Sequence, residues 1–325
     1  MRKYLFCLLA VSTFVIAATV AGAQTPSPNT EFLYFLNGTA NGNNSSFNAY
    51  RIDQDTGFLS PVPGQPFAFN IGAPPRSCFC SAIPFADPLG RFLFYDFGWI
   101  PNSGYGSMRV NPATGALNND DLLLQGNGQA SPYPSTDPLG RFIFASLDSN
   151  GGPNNWLQSF AVGPDGHLTA APGEPYPFPG QVTYGPPVSN AKYVYIPNYD
   201  TNYPDPSYFY GFTINGANGV LTQSSTTNDG VEPTNQVISP DGKLLYSDQS
   251  YADSNGAIDV EIVGYRVNAD GNLTQLDQAP QQTLDHPGQD IVMSPNGNVW
   301  SAAVLQAKSE DDRIGLRECI RPLLE

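Results

Sequence analysis

"DPLGRFLF" occupies residues 87–94 and "DPLGRFIF" residues 137–144. The same phrase, more freely spelled, returns along the chain. It reads "SPNTEFLYFLN" at 27–37, "VSNAKYVYIPN" at 188–198, "SPDGKLLYSDQ" at 239–249 and "SPNGNVWSAAV" at 294–304. The six starts fall at 27, 87, 137, 188, 239 and 294, a spacing of 50 to 60 residues. Each copy opens with turn-forming residues and runs into a short apolar strand.

A second element follows each of the first five copies. It reads "YRIDQDTGFLS" (50–60), "MRVNPATGALN" (108–118), "SFAVGPDGHLT" (159–169), "GFTINGANGVL" (211–221) and "GYRVNADGNLT" (264–274). Gly57, Gly115, Gly166, Gly219 and Gly271 share one slot in it. A tight turn between two strands needs a residue that tolerates positive φ there. Asp53 and Asp55 read as turn formers rather than calcium ligands. Each unit is then four strands: one before the Asp/Ser-Pro turn, one after it, and the hairpin pair. Four strands at this period predict the blades of an all-β propeller. A blade buries both faces only against its neighbours. Leu93, Phe94, Ile143, Phe144, Leu245 and Tyr246 are therefore expected between blades.

These motifs resemble the lactonase-type propeller family, which includes bacterial 6-phosphogluconolactonases, cycloisomerase relatives and YVTN-repeat proteins. The likeness rests on "SPDGKLLY", "DPLGRFLF", "NADGNLTQL" and "DTGFLSPVPGQPF" and spans about residues 27–304. It implies seven blades and, where the family is enzymatic, lactone hydrolysis at a central channel.

Five units run through to their hairpin pair here. The first lacks its opening strand, and the sixth shows only "QDIVMS" (289–294) and "NVWSAAV" (298–304). Beyond residue 305 the language changes. Nine of the nineteen residues in 307–325 are charged, and Leu316, Cys319, Ile320 and Leu323 keep helical spacing that Pro322 interrupts. Three readings of 306–325 stay open: a short helix outside the ring, surplus chain beyond a five-bladed ring latched by "QDIVMS", or the remnant of a seven-bladed parent.

At the other end, Arg2 and Lys3, an apolar run from Tyr4 to Val20, and Ala21-Gly22-Ala23 fit a signal peptide over 1–23. The mature propeller of 24–305 is then expected to be secreted or periplasmic and monomeric, with no membrane contact once the signal is cleaved. Removing Arg2 and Lys3 takes the formal charge from -15 to -17. No Lys/Arg cluster offsets it, which argues against a nucleic-acid partner. Cys78 and Cys80 have no Cys or His neighbours in sequence to complete a metal site, so they read as small buried residues. No cofactor is implied.

The stretches leading into the innermost strands are where a propeller does chemistry. In lactonase-like enzymes these often read Pro-Arg-His. Here "PRSCFCSAIPFADP" (75–88) keeps Arg76 without a His, and "VEPTNQVISP" (231–240) puts Thr234 and Asn235 at the slots. "HPGQDIVMSP" (286–295) offers Gln289 and Asp290, with His286 upstream. One expectation is a carboxylic ester hydrolase in which Arg76 polarises a lactone carbonyl and His286 or Asp290 activates water. The competing expectation is a binding scaffold for a small molecule, sugar or protein. Tyr133, Tyr184, Asn235 and Gln289 would then be contacts, beside loops such as "LDSNGGPNNWLQ" (147–158) rich in Asn, Gly and aromatics. His167, in the hairpin "PDGHLT", is expected to be exposed.

Overall fold

The computed structural model describes residues 31–37, 46–68, 84–97, 104–125, 134–147, 154–179, 181–182, 186–199, 208–228, 232–252, 258–276, 282–284, 290–293, 299–302 and 320–322. All regular structure among them is β. Six antiparallel sheets follow one another along the chain. The first holds β1 (Glu31–Asn37), β2 (Ser46–Ile52), β3 (Leu59–Pro61) and β4 (Phe67–Ala68). The second is β5 (Pro84–Ala86), β6 (Phe92–Phe97), β7 (Gly104–Val110) and β8 (Leu117–Gln125). The third is β9 (Ser135–Thr136), β10 (Phe142–Leu147), β11 (Asn154–Val162), β12 (Leu168–Ala170) and β13 (Tyr176–Pro179). The fourth is β14 (Gln181–Val182), β15 (Val188–Ser189), β16 (Tyr193–Tyr199), β17 (Tyr208–Ile214) and β18 (Leu221–Asn228). The fifth is β19 (Glu232–Ile238), β20 (Leu244–Ala252), β21 (Ile258–Val267), β22 (Leu273–Gln275) and β23 (Gln282–Leu284). The sixth is β24 (Asp290–Met293), β25 (Val299–Ala302) and β26 (Ile320–Pro322). This is a β-propeller. Its four-strand unit is seen as expected, with the outermost strand split in two in the first, third and fifth sheets.

Side-chain alternation explains the unbroken apolar runs. Neighbours in a strand point to opposite faces, and here each face meets a different blade. In the second sheet, Leu93, Tyr95, Met108, Val110 and Leu117 pack on Phe47 of the first. On the other face Phe85, Phe92, Phe94 and Tyr105 pack on Ile143, Ala145, Phe160 and Leu168 of the third. Phe144 and Leu157 continue against Val194, Ile196 and Phe212 of the fourth. Tyr195 and Phe209 meet Leu245, Val263 and Tyr265 of the fifth, and Tyr246 and Ile262 meet Ile291 of the sixth. Each large apolar side chain so buried contributes about 1.5–3 kcal/mol. The six core residues expected from the repeat all lie in these inter-blade clusters.

The repeated octapeptide is also a clasp. Asp87 is fully buried. Its carboxylate accepts from Arg91 N at 3.0 Å, Nε at 2.6 Å and Nη2 at 3.1 Å. The same Nη2 donates to the carbonyl of Gly140 in the next blade at 2.6 Å. Asp137 and Arg141 repeat the arrangement, with Arg141 Nη2 reaching Ala191 O at 2.7 Å. Each guanidinium also covers the ring that follows it, Phe92 at 5.4 Å and Phe142 at 5.1 Å. In the fourth blade Asn190 takes over, its Nδ2 donating to Gly242 O at 2.9 Å. Asp-Pro-Leu-Gly-Arg is thus repeated because it ties one blade to the next.

Two stretches of the C-terminal end are described. Ile320–Pro322 pairs with β25 as a strand, not as part of a helix. Pro322 suits that place, since proline has no N–H for a helix interior but is tolerated on an edge strand. Residues 290–293 pair with β25 inside the sixth sheet, and do not latch beside β1 as the five-bladed reading requires. Residues 306–319, like 1–30 and Cys78 and Cys80, lie outside the described residues.

Candidate functional site

The first strand of each blade forms the inner edge of its sheet, and successive inner strands stand side by side. β5, β9, β15, β19 and β24 neighbour one another in that order. Side-chain hydrogen bonds join them: Thr136 Oγ1 donates to Ala86 O at 3.0 Å, and Gln236 Nε2 donates to Pro186 O. The channel wall is therefore continuous from the second blade to the sixth.

One irregularity breaks this wall. Along β19 the pairing with β20 shifts between Pro233 and Gln236. Thr234 and Asn235 form a bulge, and a bulge removes ladder partners and re-aims side chains. The Asn235 N–H that the ladder would have used turns to the carboxylate of Asp248. Asn235 Nδ2 donates to the other oxygen of the same carboxylate at 3.1 Å. Ser247 Oγ donates to Asn235 O at 3.2 Å. Asp248 is 1% exposed. A buried carboxylate is costly unless it is well hydrogen-bonded, and here it accepts both donors of one residue. The pair fixes the amide's orientation, because Nδ2 must face Asp248.

Asp290 is the first residue of β24, paired with Ala302 and on the inner strand next to β19. The structure thus brings two sequence candidates, Asn235 and Asp290, onto adjacent inner strands. Arg76, Tyr133, Tyr184, His286 and Gln289 lie outside the described residues. His167 is exposed in its hairpin, as expected. Asp53 holds its turn, accepting from Asp55 N at 3.1 Å and from Thr56 N and Oγ1 at 2.8 and 2.7 Å. Sequence reasoning missed Asp248. Its signal was present: an acidic residue in the apolar strand "LLYSDQ", at the slot where "FLFYDF" carries Asp96.

A second polar group lies between the second and third blades. Asp96 and Tyr105 are paired across β6 and β7, and both are buried. Burial, followed by the charges of Asp96 and Glu174, pushes the Tyr105 hydroxyl well above its ordinary pKa. Burial raises Glu174, against a hydrogen bond from Gln158 that lowers it. Tyr105 OH, Gln158 Oε1 and Glu174 Oε2 have no hydrogen-bond partner among the described residues. Buried polar atoms of this kind take ordered water. Among the described residues, no group of three or more His, Cys, Asp or Glu is placed to hold a metal ion.

No protein-family model matches the chain, and no curated protein matches it. Among solved structures, a functionally unknown protein from Desulfotomaculum acetoxidans is similar, with a TM-score of 0.51 at 14% identity, over 90% of this chain and 84% of that one. A protein provisionally named a 6-phosphogluconolactonase from Bacteroides uniformis aligns with a TM-score of 0.47 at 18% identity, over 82% of this chain and 86% of that one. At these identities the likeness is one of fold.

Proposed function

We propose that this chain is an exported, lactonase-like β-propeller that binds a neutral, hydroxyl-rich small molecule, such as a sugar or lactone, at its channel wall without turning it over. The bulge at Asn235, held by buried Asp248, is the observation that carries this reading. Bulges of this kind recur where a side chain must be aimed at a ligand. An amide fixed by a buried carboxylate suits hydroxyl recognition, since it gives directional hydrogen bonds at constant charge. It is a poor general base, because an amide does not take up a proton near neutral pH. The charge balance points away from phosphorylated ligands, with eight Lys/Arg against 24 Asp/Glu over residues 24–303.

A second reading is favoured by the place of Asp290 beside β19. Asp290 or His286 would activate water against a lactone whose carbonyl Arg76 polarises. Calorimetric titration with a panel of aldoses and aldonolactones, run beside a lactone-hydrolysis assay, separates the two. The binding reading expects heat without turnover, and loss of that heat in Asp248→Ala. Turnover abolished by His286→Ala and Asp290→Asn establishes the hydrolase instead.

A further inference from the structure

The hairpin between β17 and β18 reads "NGANG" at residues 215–219. Of the eight Asn-Gly pairs in the sequence, only its two, Asn215-Gly216 and Asn218-Gly219, lie wholly among the described residues. An Asn-Gly pair is chemically labile. The glycine nitrogen can attack the asparagine Cγ, because no Cβ stands in its way. The glycine N–H gives its proton to solvent, the N–Cγ bond forms, and Nδ2 leaves as ammonia. Water then opens the cyclic imide at either carbonyl, which leaves aspartate or isoaspartate. No other reactant is consumed.

The two asparagines are equally prepared for this step. Asn215 Oδ1 accepts from Ala217 N at 3.0 Å, and Asn218 Oδ1 from Val220 N at 3.1 Å. Each bond folds Cγ back over the next peptide and places a donor where the oxyanion of the tetrahedral intermediate develops. The two glycines differ. Gly219 N–H donates to Asn215 O at 2.8 Å, and the residue is buried at φ +75°. A Cβ on it would lie 2.8 Å from the Phe142 ring of the third sheet. Its nitrogen is engaged and its position is fixed. Gly216 is exposed, and its N–H has no hydrogen-bond partner among the described residues. Arg141 stands beside it, with Nη1 2.9 Å from where a Cβ would be. A cation at that point favours loss of the N–H proton.

We propose that Asn215 is a site of spontaneous deamidation, and that Asn218, three residues on, is protected by the hydrogen bond of Gly219. Isoaspartate at position 215 adds a carbon to the main chain. The Asn215 carbonyl accepts from Asn218 N at 3.3 Å as well as from Gly219 N, and the longer chain cannot keep both bonds. The hairpin then loses its seat on Phe142, and the joint between the third and fourth sheets weakens as the protein ages.

Peptide mapping by mass spectrometry of the full chain, aged at mildly alkaline pH, tests this beside a synthetic peptide of residues 211–221. In the peptide the two pairs are expected to convert at similar rates. In the folded chain, attack at Asn218 must first break a net hydrogen bond, so Asn215 is expected to convert about tenfold faster. A ratio no greater in the folded chain than in the peptide overturns the proposal. So does an Asn215 that is unchanged in the folded chain after the peptide has converted. Gly216→Ala, which hinders attack at Asn215 alone, follows the consequence. Ageing is expected to lower the melting temperature of the wild type more than that of this variant, each measured against its own fresh sample. An equal fall in both overturns the link between residue 215 and the blade joint.

Discussion

The hairpin glycine Gly271 of the fifth blade lies against Tyr193 of the fourth, so closely that a Cβ would stand 2.6 Å from the ring's Cε1. Its φ is +88°, and its carbonyl accepts from Tyr195 OH at 2.9 Å. Here one residue closes a turn and admits a neighbouring ring. Gly271→Ala therefore combines left-handed strain with overpacking and is expected to cost about 3 kcal/mol. Gly57→Ala, at φ +70° with open space around it, incurs only the strain, about 1 kcal/mol. Urea midpoints of the two variants check the difference.

Removing the clasp leaves a buried acid short of donors. Arg91→Ala takes away two charge-assisted bonds from Asp87 and the tie to Gly140 O, and is expected to cost about 2 kcal/mol or more. Arg91→Lys recovers only part of this, because an ammonium cannot reproduce the planar fork. Thermal melts of both, with Arg141→Ala as the equivalent change one blade on, measure the effect.

Glu174 supplies a pH signature. Burial raises its pKa in the folded state, so folding favours the protonated acid. That contribution is fully present below the unfolded-state pKa and is lost as pH rises through the folded one. Glu174→Gln should therefore melt higher than the wild type at neutral pH and converge with it in acid. A difference that is constant with pH would assign the effect to packing.

Asp241 has the opposite sign. Its carboxylate accepts from Ser239 Oγ at 2.6 Å and Lys243 N at 3.1 Å, which hold its pKa down to about 2. Its contribution is present above the unfolded-state pKa of about 3.9 and is lost as pH falls toward the folded value. Asp241→Asn should lower the melt at neutral pH and reduce its fall between those two values. A pH series of melts reads both effects.

The blades were legible in the sequence because their physics is local and periodic. Turn glycines, Asp-Pro-Leu-Gly-Arg and unbroken runs such as "RFLFYDF" act within a few residues and recur at one spacing. The clasp between Arg91 and Gly140, 49 residues apart, was not legible, since identical residues serve a lone turn equally well. The candidate site was less legible still. Asn235 stood out only by replacing a family residue, and its partner Asp248 is a strand away, joined through a bulge that no residue pattern announces. Arg76, Tyr133, Tyr184, His286 and Gln289 were picked by their slot in the repeat alone and lie outside the described residues. The tail stayed open in the sequence because its helical spacing is interrupted by Pro322, and of its residues the structure describes only Ile320–Pro322, paired with β25 as a strand.

Calorimetric titration of the full chain with aldonolactones, with product formation followed in the same cell, tests the central claim most directly. The account predicts saturable heat, no hydrolysis above the buffer rate, and loss of the heat in Asp248→Ala while the fold is retained. Catalysed lactone hydrolysis that survives Asp248→Ala and disappears in Asp290→Asn would contradict it.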